Sequence, residues 1–161
     1  MYYIEKDNIV LGIDEDREIL ATTLKISPNF TEDDIKKVPD GYVAINGKPL
    51  MTVDEYKQEK LKQERERIAL LNMTGADVER AIYQAKGMDF DDILAFVQAN
   101  PPEGLDIKAL KIELKANNFY RGNPYVEVIG TLLGFTSNQL NNFFKTGDYK
   151  ELLPKEEIIK E

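Results

Sequence analysis

The chain of 161 residues has no cysteine and no histidine. Without thiols there is no disulfide framework, thiolate nucleophile or zinc-thiolate site, and no record of a redox compartment. Without imidazole the side chain that titrates nearest neutrality is missing, and with it Ser-His-Asp and Cys-His catalysis and every histidine metal site. Apolar runs extend only a few residues, far short of the roughly 20 that a membrane helix needs. Met1 leads directly into "YYIEKDN" with no basic or apolar leader region, so a soluble protein without a signal peptide or membrane segment is expected. Positive charge is also scarce: 21 Lys and Arg against 29 Asp and Glu leave a formal balance of -8. Such a surface repels polyanions unless its cations are gathered locally, which makes nucleic acid an unlikely default partner. The chemistries still open are carboxylate pairs, a buried lysine, and Mg²⁺ or Ca²⁺ on Asp and Glu oxygens.

What is present is a 42% apolar content, enough for one core or for a compact domain with a smaller appendage. The acidic residues follow a local grammar. In "FTEDDI", "MTVDEY", "MTGADV", "MDFDDI", "LDIKAL" and "FTSNQL" an apolar residue precedes Thr or Asp, and a second apolar residue follows five positions after the first. Thr31, Thr52, Thr74, Asp89, Asp106 and Thr136 then read as N-caps, with flanking pairs such as Phe30/Ile35 and Phe135/Leu140 at hydrophobic-staple positions. Acids in the first turn, such as Glu32, Asp33, Asp34, Asp91 and Asp92, face the positive end of the helix dipole, worth about 0.3–1 kcal/mol each when exposed. Helix starts therefore account for these clusters without a metal, and none has the alternating acids, central Gly and terminal Glu of an EF-hand. Asp14-Glu15-Asp16 reads as a solvated turn after a strand. No cofactor or metal is expected, and no enzymatic activity.

Residues 2–13, "YYIEKDNIVLGI", alternate around Asp7-Asn8 and predict a hairpin, since both turn residues tolerate positive φ. "REILATTLKI", 17–26, is expected as a third strand, with a short helix as the alternative. After a brief helix opened by Thr31, "YVAINGKPL" places Asn46-Gly47 between two extended runs, a strong hairpin signal. Residues 1–50 thus form a small β-rich unit that buries little area and exposes strand edges needing cover. Tyr42, Val43 and Ile45 are its candidate partner contacts.

Residues 51–73 predict a long charged connector helix, in which Leu61 is the only apolar residue between Lys57 and Arg67. Pairs such as Glu59/Lys62, Lys60/Glu64 and Lys62/Glu66 would support it in solvent. Leu61 and Ile68 alone repeat at seven, too few for a coiled-coil seam. Residues 74–153 predict a compact helical domain with helices near 75–86, 90–99, 106–117, 124–133 and 136–146 and a last turn after Asp148. The tail, 154–161, is expected to be frayed or held by a partner. The fold class is therefore α+β: a small β-rich N-terminal unit, a long charged connecting helix and a compact C-terminal helical domain.

Two features of the helical part bear on function. Arg121, in the turn before Asn123-Pro124, is a candidate carboxylate or carbonyl clamp and partner contact, against a plain surface arginine. "IGTLLGFTSNQLNNFF", 129–144, has the form of a helix-turn-helix, with Gly134 at the turn and Ile129, Leu133, Phe135, Leu140 and Phe143 as the packing set. Read as DNA contacts, its outward residues are Thr136, Ser137, Asn138, Asn141, Asn142 and Lys145, and amides can bind adenine in bidentate fashion. The segment offers few cations for phosphate, and a packed corner explains the same pattern, so the corner is preferred.

"NMTGADVERAIYQAKGMDFDDI" and "NFYRGNPYVEVIGTLLGFTSNQLNNFFKTGDYKELL" together resemble small, poorly characterised proteins of phage and prophage tail modules in Gram-positive bacteria. The resemblance covers roughly residues 52–153 and rests on the turn Phe119-Tyr120-Arg121-Gly122-Asn123 and the corner from Leu133-Gly134-Phe135-Thr136 through Phe143-Phe144. It carries no catalytic residues. It implies a non-enzymatic protein of tail or tail-fibre assembly, or a minor virion component. Its partner would be a phage tail or fibre protein or a second copy of the chain, met in the bacterial host cytoplasm during assembly or in the virion. The alternative is a DNA-binding regulator or host-takeover factor using 124–146.

Overall fold

The computed structural model describes residues 1–24 and 29–154. The chain is α+β and divides into two units, Met1–Gln63 and Glu64 onward. In the first, β1 (Tyr2–Lys6) and β2 (Ile9–Asp14) form the expected hairpin, with Asp7 at φ 51° and Asn8 at φ 66° in the turn. β3 (Ile35–Lys37) pairs antiparallel with the other side of β1, giving the order β2-β1-β3.

The register of β1 against β2 slips between Ile4 and Glu5: Ile4 faces Gly12 while Glu5 faces Val10. Leu11 is thus the extra residue of a β-bulge, and it is half exposed. Strict alternation would put Val10 and Gly12 on the same face, whereas the bulge shifts the phase by one residue. Val10 and Ile13 consequently share a face with Tyr3, Ala44, Val38 and Leu50. On the opposite face Ile4 and Ile35 pack with Leu20, Ala21 and Leu24. Gly12 adjoins the same face, where a Cβ would make ordinary contacts with Leu20 and Ile4 at 3.5 and 3.6 Å.

Leu20, Ala21 and Leu24 belong to α1 (Arg17–Leu24), so 17–24 is a helix and not the third strand expected from its residue types. Residues 25 and 26 of that expectation lie outside the described residues. At helical spacing Leu20, Ala21 and Leu24 reach Ile4 and Ile35, and the helix start is closed locally, Asp14 Oδ1 accepting from Asp16 N–H at 2.9 Å and Asp16 Oδ1 from Glu18 N–H at 2.8 Å. Thr22 and Thr23 donate their hydroxyls to the carbonyls four residues earlier, which accommodates two β-branched residues in the last turn.

Asn46-Gly47 also behaves differently from a two-residue hairpin. β4 (Tyr42–Val43) and β5 (Met51–Thr52) do pair antiparallel, but the loop between them folds back on β2. Gly47 has φ +77° while Asn46 does not have a positive φ, the pattern of a type II turn. Lys48 N–H closes that turn on Ile45 O, Gly47 N–H donates to Val10 O, and Val10 N–H donates to Lys48 O. The loop therefore covers the outer edge of β2 at Val10, and the burial of Ala44 and Leu50 holds it there.

α2 (Val53–Ala69) follows and contains no buried residue. Its ion pairs differ from those expected: Asp54 meets Lys57 and Glu64 meets Arg67, both at i,i+3, while Glu59 binds Gln63 and Lys48. With Glu59 and Glu64 already engaged, the expected pairs to Lys62 and Lys60 do not form.

In the second unit α3 (Gly75–Lys86), α4 (Phe90–Ala99), α5 (Ile107–Glu113), α6 (Pro124–Leu132) and α7 (Ser137–Thr146) surround one core with Ile93, Val97, Leu110, Phe119, Phe143 and Leu152 among its most buried members. Leu152 comes from a 3₁₀ turn, Tyr149–Leu152, capped by Asp148. α5 stops four residues before the expected end. Leu114, Lys115 and Ala116 tighten into a turn, which frees β7 (Asn118–Tyr120) to pair with β6 (Asn72–Thr74). Gly75 is required at this crossing, because a Cβ would lie 2.7 Å from Ala116 O. The tail expected to be frayed lies, from 155 onward, outside the described residues.

Candidate functional site

All six sequence-derived N-caps occupy that position. Asp89 and Thr136 form full capping boxes with Asp92 and Gln139, while Thr31 makes half of one, its N–H and hydroxyl both donating to Asp34 Oδ2 and Asp34 N–H turning to the Thr31 carbonyl. Thr74 accepts from Asp77 N–H, Asp106 from Lys108 and Ala109 N–H, and Thr52 from Glu55 N–H. The carboxyl of Glu55 is held below its ordinary value by bonds from Thr52, and that of Asp77 by Thr74 and then Arg80. Among the described residues no three carboxylates gather where a cation would fit, and no helix is long and apolar enough to cross a membrane.

The densest polar arrangement lies at the turn containing Arg121, where the clamp geometry is present. Leu71 O accepts from Arg121 N–H at 2.8 Å and Ala69 O from Gly122 N–H at 3.0 Å, so the turn meets the last carbonyl of α2, which has no partner in the helix, and one two residues beyond it. A side chain at Gly122 would lie 2.9 Å from Ala69 Cβ. The Arg121 side chain runs inward and is only 11% exposed. Nε donates to Asn141 Oδ1 at 2.8 Å, and Nη2 meets Glu127 at 2.7 Å and Ser137 O at 3.4 Å. One guanidinium thereby ties α6 to α7. Ser137 Oγ also donates to Glu127, and that bond, with the arginine, holds the Glu127 carboxyl below its ordinary value against the opposing effect of burial. Placed this deep, Arg121 commits Nε and Nη2 to contacts inside the fold.

The corner between α6 and α7 is closed by a Schellman motif: Gly134, at φ +74°, donates to Thr131 O, and Phe135 donates to Gly130 O. Ile129, Leu133, Phe135, Leu140 and Phe143 are all buried. Gly130 lies beneath Leu140, where a Cβ would come within 2.5 Å of Cδ1.

The six outward residues of the DNA reading are mostly engaged inside the fold. Thr136 caps α7, Ser137 binds Glu127, Asn141 accepts from Arg121, and Lys145 pairs with Glu64 at 3.1 Å. The side chains of Asn138 and Asn142 make no hydrogen bond among the described residues. An acid beside the helix's one lysine further weakens any phosphate contact.

The Glu64 carboxyl is lowered from its ordinary 4.5 to about 2, by Arg67 first and Lys145 second. A lowered carboxyl pKa contributes stability above the unfolded value that is lost as pH falls through the folded one. The contribution should therefore be intact above pH 4.5 and fade toward pH 2. A side-chain carboxyl NMR titration is expected to show Glu64 titrating near 2, and nearer its ordinary value in Arg67→Ala; an ordinary titration in the native protein would remove the pairing.

The partner-contact candidates of the first unit sit on and just after β4. Tyr42 is 43% exposed, while Val43 and Ile45 are half-buried. Tyr42 pairs with Thr52 and Val43 with Met51, and Val53 N–H donates to Gly41 O at 2.9 Å, which extends this short ladder. Comparison with protein-family models, curated proteins and solved structures gives no match to this chain.

Proposed function

We propose that this protein acts by contact and not by catalysis, as a phage-type component of tail or tail-fibre assembly or of the virion. In that role β4 and the residues after it, Tyr42, Val43 and Ile45, meet a tail or fibre protein. The observation carrying the reading is the β4-β5 pair: a two-stranded ladder with an exposed tyrosine and, among the described residues, no third strand. Such ladders are marginal alone, and an added strand supplies both backbone hydrogen bonds and side-chain contacts. The capping duties of the carboxylates support the same reading, since acids engaged with helix N-termini are poorly placed for proton transfer.

The test is co-expression of the full chain with each protein encoded beside it and with phage tail and fibre proteins, with complexes measured by light scattering after size exclusion. A hetero-complex lost in Tyr42→Asp, with circular dichroism unchanged, supports the proposal. No complex with any of them, self-association alone, or a complex indifferent to Tyr42→Asp overturns it. The DNA-regulator alternative predicts retention on DNA at about 0.15 M salt that Lys145→Glu abolishes.

A further inference from the structure

We propose that the cleft beside Arg121 binds an organic carboxylate. This open cleft of about 230 Å³ is lined by Arg65, Ile68, Ala69, Arg121, Gly122 and Asn141, all within the second unit. Its polar side chains are donors. Arg121 uses Nε and Nη2 inside the fold, and Nη1 has no partner among the described residues. No buried side-chain nitrogen or oxygen among those residues lacks a hydrogen bond, so Nη1 is not a sealed, unsatisfied donor, and Arg121 is part of the wall of this cleft. The Asn141 oxygen accepts from Arg121 Nε, which fixes the amide orientation and leaves its NH₂ as the free end. Arg65 makes no ion pair among the described residues. In a chain of net charge -8, two guanidinium groups and an amide NH₂ therefore line one opening that has no carboxylate in its wall.

The shape selects among anions. Arg65 can meet a carboxylate through paired N–H bonds while Arg121 adds Nη1 alone, and the Ile68 and Ala69 side chains add the apolar wall that separates an organic acid from a bare oxyanion. The space is several times the roughly 30 Å³ that a single water takes up in the liquid, so a carboxylate carrying a short apolar stem fits better than a bare oxyanion. The C-terminal residue of a peptide and a small branched-chain acid both meet this description. The inference is independent of the contact proposed for β4 and would stand if that contact failed.

The probes are N-acetyl-leucine, its C-terminal amide and inorganic phosphate, titrated into the full chain and followed by ¹H–¹⁵N NMR. The acid should produce saturable shifts at the Gly122 and Ala69 backbone amides and the Asn141 side-chain NH₂. Arg65→Gln, a change at an exposed position, should weaken binding roughly tenfold, and the amide should leave these signals unmoved. Equal binding of acid and amide, an unchanged affinity in Arg65→Gln, phosphate binding as tight as the acid, or no saturable shift would each overturn the proposal. An unlabelled acetyl-valine competitor distinguishes a general small-acid site, which it should fill, from one requiring leucine's length, which would still be a carboxylate site.

Discussion

Phe119→Ala is expected to lower the unfolding free energy of the C-terminal unit by about 3–5 kcal/mol, the usual range for removing a fully buried phenylalanine. Phe119 is 2% exposed, its ring lies 5.5 Å from that of Phe90, and it belongs to β7, a strand of only three residues. Few neighbours on so short a strand can move in to fill the space, which favours the upper part of the range. Marginal stabilities of about 5–15 kcal/mol make this a large fraction of the whole. Urea denaturation followed by circular dichroism measures it. Tyr120→Ala, at the adjacent and half-exposed position, is the control and should change stability by less than about 1 kcal/mol. Similar losses in the two variants would show that the strand faces the core differently.

Arg121→Leu is the second large effect, expected at about 2–3 kcal/mol. The substitution keeps apolar bulk but removes the ion pair to Glu127 and the hydrogen bonds to Asn141 and Ser137 O. Losing one partner of a fully buried pair costs more, about 3–5 kcal/mol. Here the Glu127 side chain is 44% exposed, so water solvates the carboxylate left behind and the smaller figure applies. In a double-mutant cycle with Glu127→Gln the two changes should be non-additive by more than about 0.5 kcal/mol. Additive losses would mean that Asn141 and Ser137 alone account for the clamp.

Much of the fold could be read from short-range chemistry. Each N-cap identified from Thr or Asp between staple residues stands at a helix start, and all but Thr31 accept a backbone N–H there, because the requirements are met within four residues of chain. Gly134 and the Asp7-Asn8 turn were legible for the same reason, as positive φ restricts which residues can serve. The misreadings arose where distant groups decide. "REILATTLKI" has strand-like composition, but Leu20, Ala21 and Leu24 find Ile4 and Ile35 at helical spacing. Asn46-Gly47 forms its turn, yet Val10, far back in sequence, takes its backbone bonds. β6 and β7 are too short to carry any alternation, and only their pairing reveals them. The clamp followed the same rule: Arg121 could be singled out as a candidate, but its acceptors lie on two later helices. Arg65 had no signal at all, since one arginine in a charged helix looks like the next.

The pairing of β6 with β7 joins segments separated by three helices. Bringing such ends together carries a chain-entropy penalty before any strand contact is made. α3, α4 and α5 are stabilised by local bonds, whereas β6-β7 closure needs this long-range contact and is expected to follow them. The same closure seats Gly75 against Ala116 and places the Arg121 turn on the end of α2. The carboxylate cleft, walled by Ala69 on one side and Arg121 and Gly122 on the other, therefore depends on that closure.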